Sequence, residues 1–107
     1  LILLPTNGIQ MYMKVHRTPK GEEVVAVCDR ELMNTTLYRE GVKIHIRGEF
    51  YGDHTVSADE VRKALVNADN ANLMGERTVA LALEMGLISR SSCLMLGDVP
   101  HAQIFRI

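Results

Sequence analysis

Met11-Tyr12-Met13-Lys14-Val15-His16-Arg17, followed by Pro19-Lys20-Gly21 and then Val24-Val25-Ala26-Val27-Cys28, is the stretch that decides the fold. Its first part alternates, with Met11, Met13 and Val15 on one side and Tyr12, Lys14 and His16 on the other, which is the period of a half-buried strand. The second part is apolar without interruption and suits a strand covered on both faces. The Pro-Lys-Gly turn chemistry between them predicts a hairpin.

Downstream, Asp29-Arg30-Glu31-Leu32-Met33 predicts a short helical turn with Asp29 as its N-cap. Beyond Gly41, Val42-Lys43-Ile44-His45-Ile46-Arg47 alternates again, with Lys43, His45 and Arg47 pointing one way. Glu49 to His54 reads as a turn carrying the aromatic pair Phe50-Tyr51. Ser57-Ala58-Asp59-Glu60 is a capping box, and Val61, Ala64, Leu65 and Ala68 then recur at helical spacing. A second, more buried helix is predicted within residues 72–85, ending at Gly86. Cys93 to Leu96 and Ala102 to Ile107 read as closing strands around the turn Gly97-Asp98-Val99-Pro100. The order of elements predicts an α+β fold, a mixed or antiparallel sheet packed on one side by a helical pair.

Residues 1–10 end in the turn signal Pro5-Thr6-Asn7-Gly8 and precede Met11, so they read as an N-terminal extension to a single domain at residues 11–107. A chain of 107 residues has room for one core. Its 47% hydrophobic and 23% charged residues are the balance of a globular protein rather than of a disordered one. The opening Leu1-Ile2-Leu3-Leu4 is too short for a signal-peptide core, and no run approaches the ~20 apolar residues of a membrane span. Cys28 and Cys93 lie in apolar runs far from any CxxC spacing and read as small buried hydrophobes of a reducing compartment, so the expected location is cytoplasmic and membrane-free. A formal charge of −1 gives no global attraction to nucleic acid.

Three groups of residues carry candidate chemistry. If the Tyr12 and Lys43 strands share a sheet, Tyr12, Lys14, His16, Lys43, His45 and Arg47 form a basic platform that suits phosphates and a stacked base. Residues 14–47 carry seven Lys or Arg against five Asp or Glu, whereas residues 48–107 carry five against eight, so positive charge leans toward this half. A solvated face of a one-sided sheet explains the same pattern. Asn70, Asn72, Gly75, Glu76 and Arg77 surround a predicted helix start whose free N–H groups suit an anion, although Asn72 serves equally as a plain cap. His101, in a turn near Gln103, has the chemistry of a general acid or base, but it stands without a nucleophile and orienting partner that sequence can assign. Cys28, Cys93 and the histidines lack metal-ligand spacing, so neither a metal nor a cofactor is expected.

The stretches Ala68-Asp69-Asn70-Ala71-Asn72-Leu73-Met74-Gly75-Glu76-Arg77 and Val99-Pro100-His101-Ala102-Gln103-Ile104 resemble a family of small archaeal proteins catalogued as domain of unknown function 424. Lys14-Val15-His16-Arg17, Cys28-Asp29-Arg30-Glu31-Leu32 and Phe50-Tyr51-Gly52 extend the resemblance over Met11 to Ile107. The chain departs from it at Asp53 and Asp98, where family members often carry a second glycine. The resemblance implies an archaeal cytoplasmic protein and supplies neither an established activity nor a catalytic residue; a link to translation or RNA metabolism is an expectation set beside it. The leading expectation is a non-enzymatic binding module for RNA or a ribonucleoprotein. The competing one is a small enzyme or small-molecule-binding protein whose pocket joins Asn72, Glu76, Arg77, His101 and Gln103. A third is a homodimer paired along the edge of the closing strand Ile104-Phe105-Arg106-Ile107.

Overall fold

The computed structural model describes residues 10–106. The hairpin read from the first stretch forms as expected. Strand β1 (Met11–Arg17) pairs antiparallel with β2 (Glu23–Asp29) in an unbroken register from Met11↔Asp29 to Arg17↔Glu23. Of the expected extension at residues 1–10, residues 1–9 lie outside the described residues. Gln10 is tied into the fold, its N–H donating to the Val56 carbonyl and its own carbonyl accepting from the Arg30 N–H.

A 3₁₀ turn at Arg30–Leu32 leads into β3 (Thr36–Arg39) and β4 (Val42–His45), a two-stranded ribbon of their own. This overturns the condition on which the basic platform rested, because the Lys43 strand does not join the sheet of the Tyr12 strand. The cause is the two-residue turn Glu40-Gly41. Both residues have positive φ, +48° and +80°, the geometry of the tight hairpin turn that folds β4 back onto β3. After the short helix α1 (Gly48–Tyr51) and strand β5 (Thr55–Val56) comes α2 (Ala58–Val66). The Ser57 hydroxyl accepts the Glu60 N–H at 3.3 Å, so the predicted cap is present. Its reciprocal half differs, since the Glu60 carboxylate meets the Ser57 hydroxyl at 3.4 Å.

The next segment departs from prediction. Asn70–Met74 is strand β6, and the helix α3 starts only at Glu76, running to Glu84. Ala71 and Leu73 are buried between the half-buried Asn70 and Asn72, a two-residue period that fits a strand flanked by partners on both sides. Those partners are β2, parallel, and β8 (Val99–Phe105), antiparallel. β7 (Leu94–Leu96) pairs with the first part of β8 through the two-residue loop Gly97-Asp98, so Val99 and Pro100 belong to the strand rather than to the turn. The resulting mixed sheet has the order β5-β1-β2-β6-β8-β7, with α2 as the crossover that makes β2 and β6 parallel.

One face of this sheet is covered by the helical pair as predicted: Met11, Val25, Val27, Leu73, Ala102 and Ile104 pack with Val61 and Leu65 of α2 and Val79 and Ala82 of α3. On the other face Ala26, Cys28 and Met74 lie beneath Ile46, Tyr51 and Leu96. Asp29 ties the end of β2 to the start of α3 on the helical face. Its buried carboxylate accepts the Arg77 N–H at 3.0 Å, the Thr78 N–H at 2.9 Å and the Thr78 hydroxyl at 2.8 Å. Asp29 thus precedes the predicted 3₁₀ turn but caps α3 instead, where a negative charge complements the helix dipole. Gly75, with φ +112°, permits the approach, since a Cβ there would collide with that carboxylate.

Candidate functional site

Strand alternation and register sort the second sheet face into three rows crossing β1, β2, β6 and β8. The first is Tyr12–Cys28–Met74–His101, the second Lys14–Ala26–Asn72–Gln103, and the third His16–Val24–Asn70–Phe105. The first row is roofed by Ile46, Tyr51 and Leu96. The third is open: Val24, Asn70 and His16 are half-buried, and Phe105 is 65% exposed. The second row is the border, with Asn72 half-buried and Lys14 and Gln103 exposed.

Helix α1 sits at this border, and hydrogen bonds from β1 hold it there. Lys14 Nζ donates to the Glu49 carbonyl at 3.0 Å, and His16 Nε2 lies 2.8 Å from the Phe50 carbonyl. A carbonyl only accepts, so this nitrogen carries the proton. The bond lays the His16 ring against Phe50, with centroids 5.1 Å apart and planes 24° from parallel. Phe50 in turn meets Tyr51 edge-on at 4.9 Å, a favoured aromatic arrangement. Gly52, with φ +85°, closes the helix against β1; a Cβ there would stand 3.0 Å from the Met13 carbonyl oxygen and 3.1 Å from Lys14 Cβ. Behind this stack the buried Tyr51 hydroxyl donates to Asn72 Oδ1 at 2.8 Å. Burial, with a smaller contribution from Cys28, pushes the Tyr51 phenol well above its ordinary pKa, so it remains a donor.

Of the six platform residues, the structure brings Lys14 and His16 to this border. Tyr12 lies on the same face but half-buried in the roofed row. Lys43 and His45 lie on the side of the ribbon opposite Leu37 and Ile44, which pack into the core, and the Thr36 hydroxyl lies 2.9 Å from His45 Nδ1. Arg47, exposed, occupies the N-cap position of α1.

Of the pocket residues, Asn72 and Gln103 are cross-strand neighbours. The others have separate surroundings. The Arg77 and Thr78 N–H groups at the start of α3 are not open to an outside anion, because Asp29 takes them, and Arg77 forms an ion pair with Glu31. Gly75 is the N-cap residue and donates its N–H to the Pro100 carbonyl at 2.9 Å. Glu76 lines a cleft of about 440 Å³ with Val79, Leu83, Cys93 and Met95. His101 lies in β8 rather than in a turn, its Nε2 buried without a hydrogen-bond partner, and burial lowers its pKa. Both cysteines are free; the Cys28 thiol is pushed up to about 12, chiefly by burial, and is inert as a nucleophile. Among the described residues no cluster of His, Cys, Asp or Glu has the geometry to hold a metal, and no helix is long and apolar enough to cross a membrane. The outer edge of β8 beyond His101 has no strand partner among the described residues. The last residue of the closing strand, Ile107, lies outside the described residues.

Sequence reasoning missed Phe50 and Phe105 as surface groups, and placed Asn70 at a helix entry rather than on this strand. The signal was present in Asn70-Ala71-Asn72-Leu73, where amides alternate with apolar residues.

The fold and this surface define a small α+β protein whose mixed sheet is packed by helices on one face and left partly open, with stacked rings and amides, on the other. The chain belongs to the family described as "Protein of unknown function (DUF424)", which matches residues 16–107. The match begins five residues later than the resemblance drawn from Met11. A solved structure of similar fold, described as that of an uncharacterized conserved protein from Methanopyrus kandleri, has 26% identity and a TM-score of 0.75. It covers 92% of this chain and 94% of its own. No curated protein matches the chain.

Proposed function

We propose that the chain is a non-enzymatic binding module that takes single-stranded RNA on the open rows of its sheet. The observation that supports this most is the adjacency of the His16–Phe50 stack to the amides Asn70, Asn72 and Gln103, with Phe105 at the far end of the third row. Exposed rings on a sheet face are where unstacked bases settle, each stacked base contributing about 1–3 kcal/mol. From His16 to Phe105 the row crosses three inter-strand spacings, about 14 Å, which gives a strand of RNA two separate stacking points. Amide side chains between them match the hydrogen-bonding edges of splayed bases. With a net charge of −1, affinity on this reading comes from stacking and hydrogen bonding more than from phosphate neutralisation.

Fluorescence anisotropy with a single-stranded RNA dodecamer and the same sequence in a duplex tests this. The single strand binds more tightly, and a Phe50→Ala/Phe105→Ala double variant loses about tenfold or more in affinity. Replacing Lys43 and His45 by Ala has a much smaller effect. Duplex preference, or an affinity indifferent to Phe50 and Phe105, overturns the reading.

A further inference from the structure

Resting on that reading, we infer that Asn72 is held as a hydrogen-bond donor and favours bases with a carbonyl at the 4 or 6 position, such as uracil and hypoxanthine, over those with an exocyclic amine there, such as cytosine and adenine. An asparagine amide ordinarily offers either polarity, because a half-turn exchanges its oxygen and nitrogen. Here the exchange carries a cost. The Tyr51 hydroxyl donates to Oδ1 at 2.8 Å; a turned amide could give its N–H to the phenolic oxygen, but the buried O–H would then be left without its acceptor. The phenol has no competing acceptor among the described residues and stays protonated, because burial raises its pKa.

Tyr51 belongs to the buried cluster of Ala26, Cys28, Ile46, Met74 and Leu96 on this face. The neighbour of Asn72 across the β6–β8 pair is the exposed Gln103. Nδ2 has no acceptor among the described residues. A half-buried amide nitrogen without a partner is satisfied by water or by a ligand's acceptor. Gln103, exposed, is free to turn and imposes no polarity of its own. The fixed donor therefore favours O4 of uracil over N4–H₂ of cytosine, and O6 of hypoxanthine over N6–H₂ of adenine.

The test is the affinity of the full chain for four hexaribonucleotides, of uridine, cytidine, inosine and adenosine, in wild type, Tyr51→Phe and Asn72→Asp. Wild type prefers uridine to cytidine and inosine to adenosine by roughly fivefold to tenfold. Tyr51→Phe retains binding while both ratios fall toward one, because the amide is free to turn. Asn72→Asp, isosteric but able only to accept when ionised, reverses the ratios and supplies the answer should Tyr51→Phe not fold. Equal affinity of wild type for all four, with binding still dependent on Phe50 and Phe105, overturns the base preference and leaves the RNA reading standing. Ratios unchanged in the folded Tyr51→Phe variant or in Asn72→Asp likewise overturn it. No binding of any hexamer overturns both.

Discussion

The phenol of Tyr51 and the carboxamide of Asn72, 21 residues apart in sequence, meet at 2.8 Å across the sheet surface. This one bond joins the short helix that carries Phe50 to the central strand that carries the amides. Removing it in Tyr51→Phe leaves Asn72 Oδ1 without its donor while keeping the ring's packing. The expected cost is about 1 kcal/mol, read as a lower urea midpoint with an unchanged slope.

Asp29 makes the second long-range tie, and a larger one. Asp29→Ala strips two backbone N–H groups and the buried Thr78 hydroxyl of their acceptor. A loss of about 3 kcal/mol is expected, combining a lost helix cap with unsatisfied buried donors. Asp29→Asn keeps a single carbonyl acceptor and places an amide nitrogen beside donors, so it recovers only part of that. Urea unfolding of the two variants checks the order.

Two glycines with positive φ separate conformational strain from collision. Gly41 turns the β3–β4 ribbon at φ +80° with open space around it, whereas Gly75 sits against the Asp29 carboxylate. Gly41→Ala is expected to cost about 1–2 kcal/mol, the penalty of left-handed backbone alone. Gly75→Ala adds a steric collision with a buried carboxylate that cannot retreat without breaking the α3 cap, so its thermal midpoint falls further than that of Gly41→Ala.

His101 makes folding pH-sensitive in a defined direction. Burial holds its folded pKa below the ordinary 6.5, so as pH falls through 6.5 the unfolded chain takes up a proton that the folded chain resists. Stability contributed here is lost as pH falls below 6.5 and is fully present above it. His101→Leu removes this dependence and also the partnerless Nε2, so the variant is expected to be more stable by about 1 kcal/mol at neutral pH. The gap between variant and wild type in urea midpoint widens from pH 7.5 to pH 5.

Much of the fold is legible in the sequence because its patterns are local. The alternation of Met11 to Arg17, the unbroken run Val24 to Cys28 and the Ser57 cap each specify an element through residues near one another. Two features resist reading because they depend on partners far along the chain. Asn70 to Met74 has too few residues to declare its period, and it becomes a strand by pairing with β2 and β8. Asp29 looks like the cap of the turn that follows it, yet its carboxylate is used 48 residues downstream. The candidate site was half legible for the same reason. Lys14 and His16 follow from strand alternation, but the platform with Lys43 needed a sheet partner that the Glu40-Gly41 turn denies. Phe50 becomes a stacking ring only once β1 holds α1 in place.

The central claim, that the open sheet rows are the RNA surface, is tested most directly by titrating the isotope-labelled protein with hexauridine and following its amide resonances. The expected shifts gather at His16, Phe50, Asn70, Asn72, Gln103 and Phe105, with the side-chain NH₂ signals of the two asparagines and the glutamine among the largest. Shifts confined to the helical face, to Lys43 and His45 on the ribbon, or absent altogether at concentrations well above the protein's own would contradict it.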